Sequence, residues 1–332
     1  QVAFKNFLEN YPNDERFDQA SFYYARSLSE LERYNEAMSV LTSLMGRTRD
    51  PDLSARALYE LAWANQGLGN VETAKARYQD LLNLHPEHDL AKRSNFELAE
   101  IEYEEGNYDS AIGRLDELLA QSISESLRER VLNRMGWCLL GRQQDLAAAE
   151  TFEQLLRDFP NTQFEAVAAY QAGEIRLMRK EYEDALELFQ QARVAADEQR
   201  ILEQAWLREG ECLTLLARWE AAENTFATFF AENPTSEFTR RCVTWLGWSQ
   251  ENLGRFEQAI ANYRIVLRGG RRDELSARSQ FHIGQCLIKM GEMDQAVREL
   301  VLVDVNYAYP VWSARAILEI GRILDQQDQT PE

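Results

Sequence analysis

The sequence is poor in the residue types that most often carry chemistry. It has three histidines, His85, His88 and His282, and four cysteines, none of them in a CxxC pair. The segment "HPEH" at residues 85–88 has no cysteine or third histidine placed to complete a metal-ligand set. No glycine-rich phosphate loop and no GxGxxG motif occurs. We therefore expect no metal, no cofactor and no catalytic centre, and hence no enzyme.

Other scarcities bear on the partners. No apolar run approaches the roughly 18 residues that a membrane-spanning helix needs. Basic residues are outnumbered, with 36 Lys and Arg against 55 Asp and Glu, so the net charge is −19. A surface this acidic repels phosphate backbones and anionic lipid headgroups. We expect a protein or peptide partner, no nucleic acid and no direct membrane insertion.

What the sequence has in abundance is repetition at a period of 37 residues. Three places recur in every period: a glycine or alanine, an alanine twelve residues later, and a bulky apolar residue four residues after that. The small residues are Ala25, Ala62, Ala99, Gly136, Gly173, Gly210, Gly247, Gly284 and Gly321; the alanines are Ala37, Ala74, Ala111, Ala148, Ala185, Ala222, Ala259 and Ala296; the bulky residues are Leu41, Tyr78, Leu115, Phe152, Phe189, Phe226, Tyr263 and Leu300. This unbroken register predicts tandem structural repeats.

Each repeat has the pattern of two helices. Leu58, Leu61 and Ala62 fall at helical spacing, and the same spacing resumes after a turn that contains Gly69. The pattern predicts an antiparallel helical hairpin. A glycine inside a helix costs about 1 kcal/mol relative to alanine. The recurring glycines, Gly136 among them, therefore predict that a neighbouring helix presses close at this place.

The three recurring places resemble the tetratricopeptide repeat. The segments "GNYDSAIGRLDELL" and "GRFEQAIANYRIVL" match the turn and second helix of that family, and the resemblance covers essentially the whole chain. It implies an all-α solenoid of tandem 37-residue helix–turn–helix repeats, wound as a right-handed superhelix with a concave groove. The unit endings "FLENYP", "LLNLHP" and "LLRDFP" are similar to those of bacterial cell-envelope members, which implies a periplasmic or envelope location.

The register predicts one solenoid over residues 1–332. It consists of a half repeat 1–17, eight full repeats (18–54, 55–91, 92–128, 129–165, 166–202, 203–239, 240–276 and 277–313), a half repeat 314–325 and a polar tail 326–332. The first half repeat reads as a second helix without its first. We therefore expect residues upstream of Gln1 in the natural protein.

The stretch "RMGWCLLG", residues 134–141, sets glycine, tryptophan and cysteine side by side. The cysteine place holds Cys138, Cys212 and Cys286, 74 residues apart, and small or apolar residues in the other units. Cysteines separated by whole repeats are too far apart for a disulfide. The pattern predicts that these cysteines are packed in the core.

The tryptophan place, one residue after the small residue, holds Trp63, Trp137 and Trp248, and charged or polar residues in the other units. Such tolerance predicts an exposed place, and the family resemblance implies that it lines the groove. Two helical turns earlier lies an arginine place, occupied by Arg56, Arg130, Arg241, Arg278 and Arg315. Exposed aromatic residues beside arginine are typical of binding hot spots. The other interpretation is that the tryptophans pack along the next repeat and the arginines are solvated.

A basic strip in an acidic protein favours acidic or carboxylate-bearing peptides. Some members of the family bind chaperone C-termini through a carboxylate clamp, and here only Arg130 and Arg134 resemble part of it, so that specificity is not predicted. The favoured function is a non-catalytic protein–protein interaction scaffold that holds a partner segment in the concave groove. The alternative is a regulatory or substrate-positioning domain of a larger enzyme.

Overall fold

The computed structural model describes residues 1–328, which form eighteen α-helices and no β-strand. In chain order they are α1 Val2–Asn10, α2 Phe17–Ser29, α3 Tyr34–Met45, α4 Pro51–Gly67, α5 Val71–Leu84, α6 Asp89–Glu104, α7 Tyr108–Leu119, α8 Glu125–Gly141, α9 Asp145–Asp158, α10 Glu165–Met178, α11 Tyr182–Ala195, α12 Gln199–Leu215, α13 Trp219–Glu232, α14 Thr239–Asn252, α15 Phe256–Leu267, α16 Glu274–Lys289, α17 Met293–Tyr307 and α18 Pro310–Asp328. The predicted all-α repeat architecture is confirmed.

The helices pair as the register predicts: the even-numbered helices α2 to α16 are first helices, and the odd-numbered helices α3 to α17 are second helices. The first helices α2 to α16 begin between one and four residues before the boundary assigned from the sequence, α2 at Phe17 rather than at residue 18 and α4 at Pro51 rather than at residue 55, because the period alone does not fix the phase. The repeat boundaries therefore stay a prediction. The last helix runs to Asp328, into the stretch predicted as a polar tail, and residues 329–332 of that tail lie outside the described residues.

Local signals set the helix starts and the hairpin turns. The side chain of Asp50 accepts a hydrogen bond from the backbone N–H of Asp52, and Pro51 occupies the first turn of α4, where proline fits a helix without loss. Seven residues after each of the first eight small residues, the chain turns through a left-handed conformation. Gly69 adopts it with φ +76°, and Ala217 adopts it with φ +56°, so this turn is a property of the repeat rather than of glycine.

The recurring glycines lie where two helices of one hairpin meet. A Cβ atom placed on Gly136 would lie 2.5 Å from Cε1 of Phe152, and one on Gly247 would lie 2.8 Å from the ring of Tyr263. Gly173, Gly210 and Gly284 meet the bulky residue of their own hairpin in the same way. The predicted close approach is confirmed at these five glycines, and the bulky partner is the residue sixteen positions later. The prediction is wrong for Gly321, where a Cβ atom would have no neighbouring atom within 4 Å among the described residues.

The contacts divide the chain into two compact units. The first, Gln1–Phe159, contains α1 to α9, and the second begins at Pro160 and contains α10 to α18. Within each unit successive helices pack in chain order, and each first helix also contacts the next first helix. No two successive second helices of the described chain approach in this way. In each unit the first helices therefore form an inner layer. We call the surface of this layer that faces away from the second helices the inner face.

Candidate functional site

The arginine place lies on the inner face of the first unit, and its side chains reach different partners. Arg56 in α4 pairs with Asp52 of its own helix at 3.0 Å. Arg130 in α8 lies over the ring of Phe96 in α6, with the guanidinium carbon 4.3 Å from the ring centroid, and is 3.6 Å from Glu97. The same place thus serves a local ion pair in one repeat and a contact between repeats in another.

Arg134 is the most tightly held of the predicted site residues in this unit. Its guanidinium donates two hydrogen bonds of 2.6 Å to Glu100 in the preceding first helix and lies 4.3 Å from the ring centroid of Tyr103. Such a bidentate pair between half-buried side chains fixes the spacing of α6 and α8. Arg134 therefore holds two repeats together through its Nε and one Nη, both bound to Glu100.

The tryptophans of the first unit differ in their exposure. Trp63 is 41% exposed, and its indole meets Tyr34 of the preceding hairpin edge to face at 5.8 Å. Trp137 is half-buried and packs edge to face on Phe152 of its own hairpin at 5.8 Å. The sequence left open whether this place binds or packs, and the two tryptophans show that the surroundings differ from repeat to repeat.

A cavity of about 430 Å³ opens on the inner face across α2, α4 and the start of α6. Three arginines line it, Arg26, Arg56 and Arg93, together with Tyr23 and Tyr59. Arg93 is exposed and makes no hydrogen bond or ion pair with the residues that the structure describes. Sequence analysis missed Arg93, although it occupies the arginine place exactly one period after Arg56 and the register was sufficient to find it.

In the second unit one residue at the tryptophan place is a buried carboxylate, contrary to the expected exposure. The Glu211 side chain is 4% exposed and is held by Arg208 at 2.8 Å and by Arg241 of the next first helix at 2.7 Å. The two guanidinium groups flank the carboxylate, and each donates a hydrogen bond to its Oε2. A charged residue at this place therefore does not by itself indicate exposure, because the repeat architecture supplies arginines from both sides.

Trp248 lies in a cluster of aromatic rings with Arg278. Trp248 contacts Trp245 at 5.0 Å and Trp219 at 6.0 Å between ring centroids. The guanidinium carbon of Arg278, from the next first helix, lies 4.8 Å from the ring centroid of Trp245 and 5.3 Å from that of Trp248. Arg315 lies 4.8 Å from the ring centroid of Trp312, which belongs to its own helix α18. The expected proximity of arginine and tryptophan thus occurs between successive helices for Arg278 and within one helix for Arg315.

A second buried carboxylate, Glu251, lies below this cluster, and sequence analysis missed it. Its oxygens lie 2.8 Å from Nδ1 of His282 and 3.0 Å from Nζ of Lys289, and Tyr263 donates a hydrogen bond of 3.1 Å to it. Burial by itself would raise the pKa of Glu251, but the hydrogen bonds and charges of His282 and Lys289 outweigh burial and hold that pKa below its usual value. The group is a structural anchor between α14 and α16.

The cysteines are free and buried, as the sequence predicted. Burial raises the pKa of the Cys138, Cys212 and Cys286 thiols to about 12, so these groups are unreactive at neutral pH. Over residues 1–328 the side chains form no group of three or more His, Cys, Asp and Glu suited to a metal ion. None of the described helices combines the length and the apolar character that crossing a bilayer would require.

Two tetratricopeptide repeat models match the sequence, one over residues 56–88 and the other over residues 133–201 and 246–303. No curated protein matches the chain. Among solved structures, PilF of Pseudomonas aeruginosa superimposes with a TM-score of 0.50 at 19% identity, covering 68% of this chain and 95% of PilF. This likeness supports the fold alone.

Two further solved structures are similar at lower scores. MamA of Desulfovibrio magneticus RS-1 covers 55% of this chain and 95% of its own, with a TM-score of 0.45 and 15% identity. A tetratricopeptide repeat protein from Parabacteroides merdae covers 80% of this chain and 98% of its own, with a TM-score of 0.46 and 15% identity. The two matching models show that the chain contains tetratricopeptide repeats over residues 56–88, 133–201 and 246–303, and the 37-residue register of helical hairpins is consistent with them.

Proposed function

We propose that the chain is a non-catalytic scaffold that binds a segment of a partner protein on the inner face of its first helices. Tetratricopeptide repeats form protein-interaction scaffolds, and an exposed row of arginines and aromatic rings suits this role. The observation that carries the proposal is the cavity of about 430 Å³ across α2, α4 and α6. It brings three arginines and two tyrosines of three successive first helices to one opening in a strongly acidic protein.

Physical chemistry favours this surface over the outer one. Tyrosine, tryptophan and arginine supply most of the binding energy in protein interfaces because they combine large apolar area with directed hydrogen bonding. Trp63 leaves two fifths of its surface exposed, and Arg93 has unused donors. An extended or helical segment laid across the first helices would cover both kinds of side chain.

The test is photo-crosslinking from defined positions. A photoreactive amino acid replaces Arg93 on the inner face or, as a matched control, Arg77 on the second helix α5, where the arginine side chain is 45% exposed. In extracts of the source organism, a protein partner should crosslink to position 93 and not to position 77. Equal crosslinking from both positions would assign the contact to non-specific association and contradict the proposal.

A binding measurement completes the test once a partner is captured. Replacement of Trp63, Trp137 and Trp248 by alanine should weaken binding by at least tenfold, since hot-spot aromatic residues contribute about 2 kcal/mol or more each. Helical circular dichroism confirms that the variant is folded. Unchanged affinity in the folded variant would remove these three residues from the binding surface.

A further inference from the structure

Arg278 has no carboxylate partner among the described residues, unlike Arg241 on the preceding first helix of the second unit's inner face. Arg241, at the same place one repeat earlier, is committed to Glu211 at 2.7 Å. Arg278 is half-buried, yet it makes no hydrogen bond or ion pair within the described chain. None of its unpaired nitrogen atoms is fully buried, so its donor groups reach solvent.

The two indoles hold the guanidinium in a fixed orientation. The guanidinium carbon lies 4.8 Å from the ring centroid of Trp245 and 5.3 Å from that of Trp248. Trp219 packs in turn on Trp248. Contact with the rings stabilises the cation and restricts its side chain, while the N–H edge stays available for hydrogen bonds. Little conformational entropy remains to be lost when a ligand binds that edge.

The acidic residues nearest to Arg278 are already engaged. Glu211 is bound by Arg208 and Arg241, and Glu251 by His282 and Lys289. Glu274 accepts a hydrogen bond of 3.2 Å from the indole of Trp312. These three carboxylates therefore bind other side chains, and the N–H donors of Arg278 stay free in a chain of net charge −19. An external carboxylate is the acceptor that a guanidinium fits best.

Arg315 provides a second open donor one repeat further on. It lies over Trp312 at 4.8 Å, is exposed, and pairs with none of the residues that the structure describes. Its helix α18 contacts α16, which carries Arg278. Neighbouring helices lie about 8–10 Å apart, a distance that an extended chain covers in about three residues.

We propose that Arg278 and Arg315 together bind two acidic side chains, about three residues apart, on an extended partner segment in the polyproline II conformation, in which every third side chain lies on the same face. This inference rests on the proposed function and specifies the chemistry of its partner in the second unit. The proposed ligands are side-chain carboxylates within the segment, one for each arginine, rather than a C-terminal carboxylate. Trp245 and Trp248 brace the first arginine, and Trp312 braces the second.

The experiment uses the whole chain and a phage-displayed library of random twelve-residue peptides. Selected peptides should be enriched in Asp or Glu pairs about three residues apart. Synthetic copies with amidated C-termini are then titrated by calorimetry against the wild-type chain and against Arg278→Gln, Arg315→Gln and Arg272→Gln. Arg272 lies in the exposed turn before α16 and serves as the control for loss of one positive charge.

Arg278→Gln should weaken binding about ten- to hundredfold, the usual effect of removing a charge-assisted hydrogen-bond pair, and Arg315→Gln should act in the same direction. Arg272→Gln should change affinity less than twofold. If Arg278→Gln does not fold, replacing the acidic residues of the peptide by glutamine should produce the same loss on the wild-type chain. Arg278→Lys keeps the charge but loses the planar fork, so it should recover only part of the affinity.

Several outcomes would overturn the inference. They are selected peptides without acidic pairs, affinity unchanged by Arg278→Gln, and binding that needs a free C-terminal carboxylate instead of the internal acidic residues. Peptides that depend on Arg93 or Trp63 but not on Arg278 would leave the proposed function standing and refute this inference alone. A selection that yields no binding peptide would count against both.

Discussion

The most direct test of the close contact between the two helices of a hairpin is to add one methyl group at Gly136. The Cβ atom of an alanine would lie 2.5 Å from Cε1 of Phe152, well inside van der Waals contact. Phe152 is fully buried, so its ring has no free space to enter. The methyl group therefore forces α8 and α9 apart or displaces the ring.

The magnitude follows from two opposing effects. Replacing glycine by alanine in a helix gains about 1 kcal/mol in intrinsic propensity. Inserting a methyl group into a packed core costs about 1–3 kcal/mol. We expect overpacking to prevail and Gly136→Ala to lower the free energy of unfolding by up to about 2 kcal/mol, although alanine is the better helix former.

Gly321 is the matched control. It occupies the same place in the repeat, but a Cβ atom there has no neighbouring atom within 4 Å among the described residues. Gly321→Ala should therefore gain the propensity alone and stabilise the chain by up to about 1 kcal/mol. The double variant Gly136→Ala/Phe152→Leu reproduces the natural pair Ala99 and Leu115 and should recover part of the loss.

The assay is urea unfolding followed by circular dichroism. With a slope of about 2 kcal/mol per molar urea, a loss of up to about 2 kcal/mol lowers the midpoint by up to about 1 M for Gly136→Ala, while Gly321→Ala leaves it equal or higher. A double-mutant cycle should give a coupling energy of about 1 kcal/mol or more between residues 136 and 152. A rise of the midpoint in Gly136→Ala, or additive effects in the cycle, would refute the close-packing explanation of the glycine place.

Three further predictions follow from single environments. Glu251→Gln should destabilise the chain at pH 7, and its difference from wild type should shrink as pH falls below 4.5, since a carboxylate of lowered pKa stabilises the fold only while ionised; pH-dependent unfolding checks this, and a constant difference would contradict it. Ala217→Gly should raise the free energy of unfolding by about 1 kcal/mol, and with it the unfolding midpoint, because φ is +56° there; a lower midpoint would show that the turn carries no strain. The four buried cysteines should resist a thiol reagent at pH 8 and react only in urea, and fast labelling of the native chain would refute their burial.

The sequence by itself determined the helical repeat. Periodicity is a property of the chain, so the register of small, alanine and bulky places was sufficient to predict the hairpins, the close approach at Gly136 and the burial of Cys138. The register also located the arginine place, and by the same rule Arg93 belongs to it, 37 residues after Arg56. These features depend on residues a fixed number of positions apart within one or two hairpins, which a one-dimensional pattern records.

Only the tertiary structure decided what each charged residue does. Arg130, Arg241 and Arg278 occupy the same place in the register, yet the first contacts Phe96 and Glu97, the second holds a buried carboxylate, and the third rests on two indoles. The partner of each arginine comes from the neighbouring helix, about 30–34 residues away. Whether a charge is used within the fold or left for a ligand depends on the three-dimensional neighbours that occupy its hydrogen bonds, and the repeat pattern does not specify them.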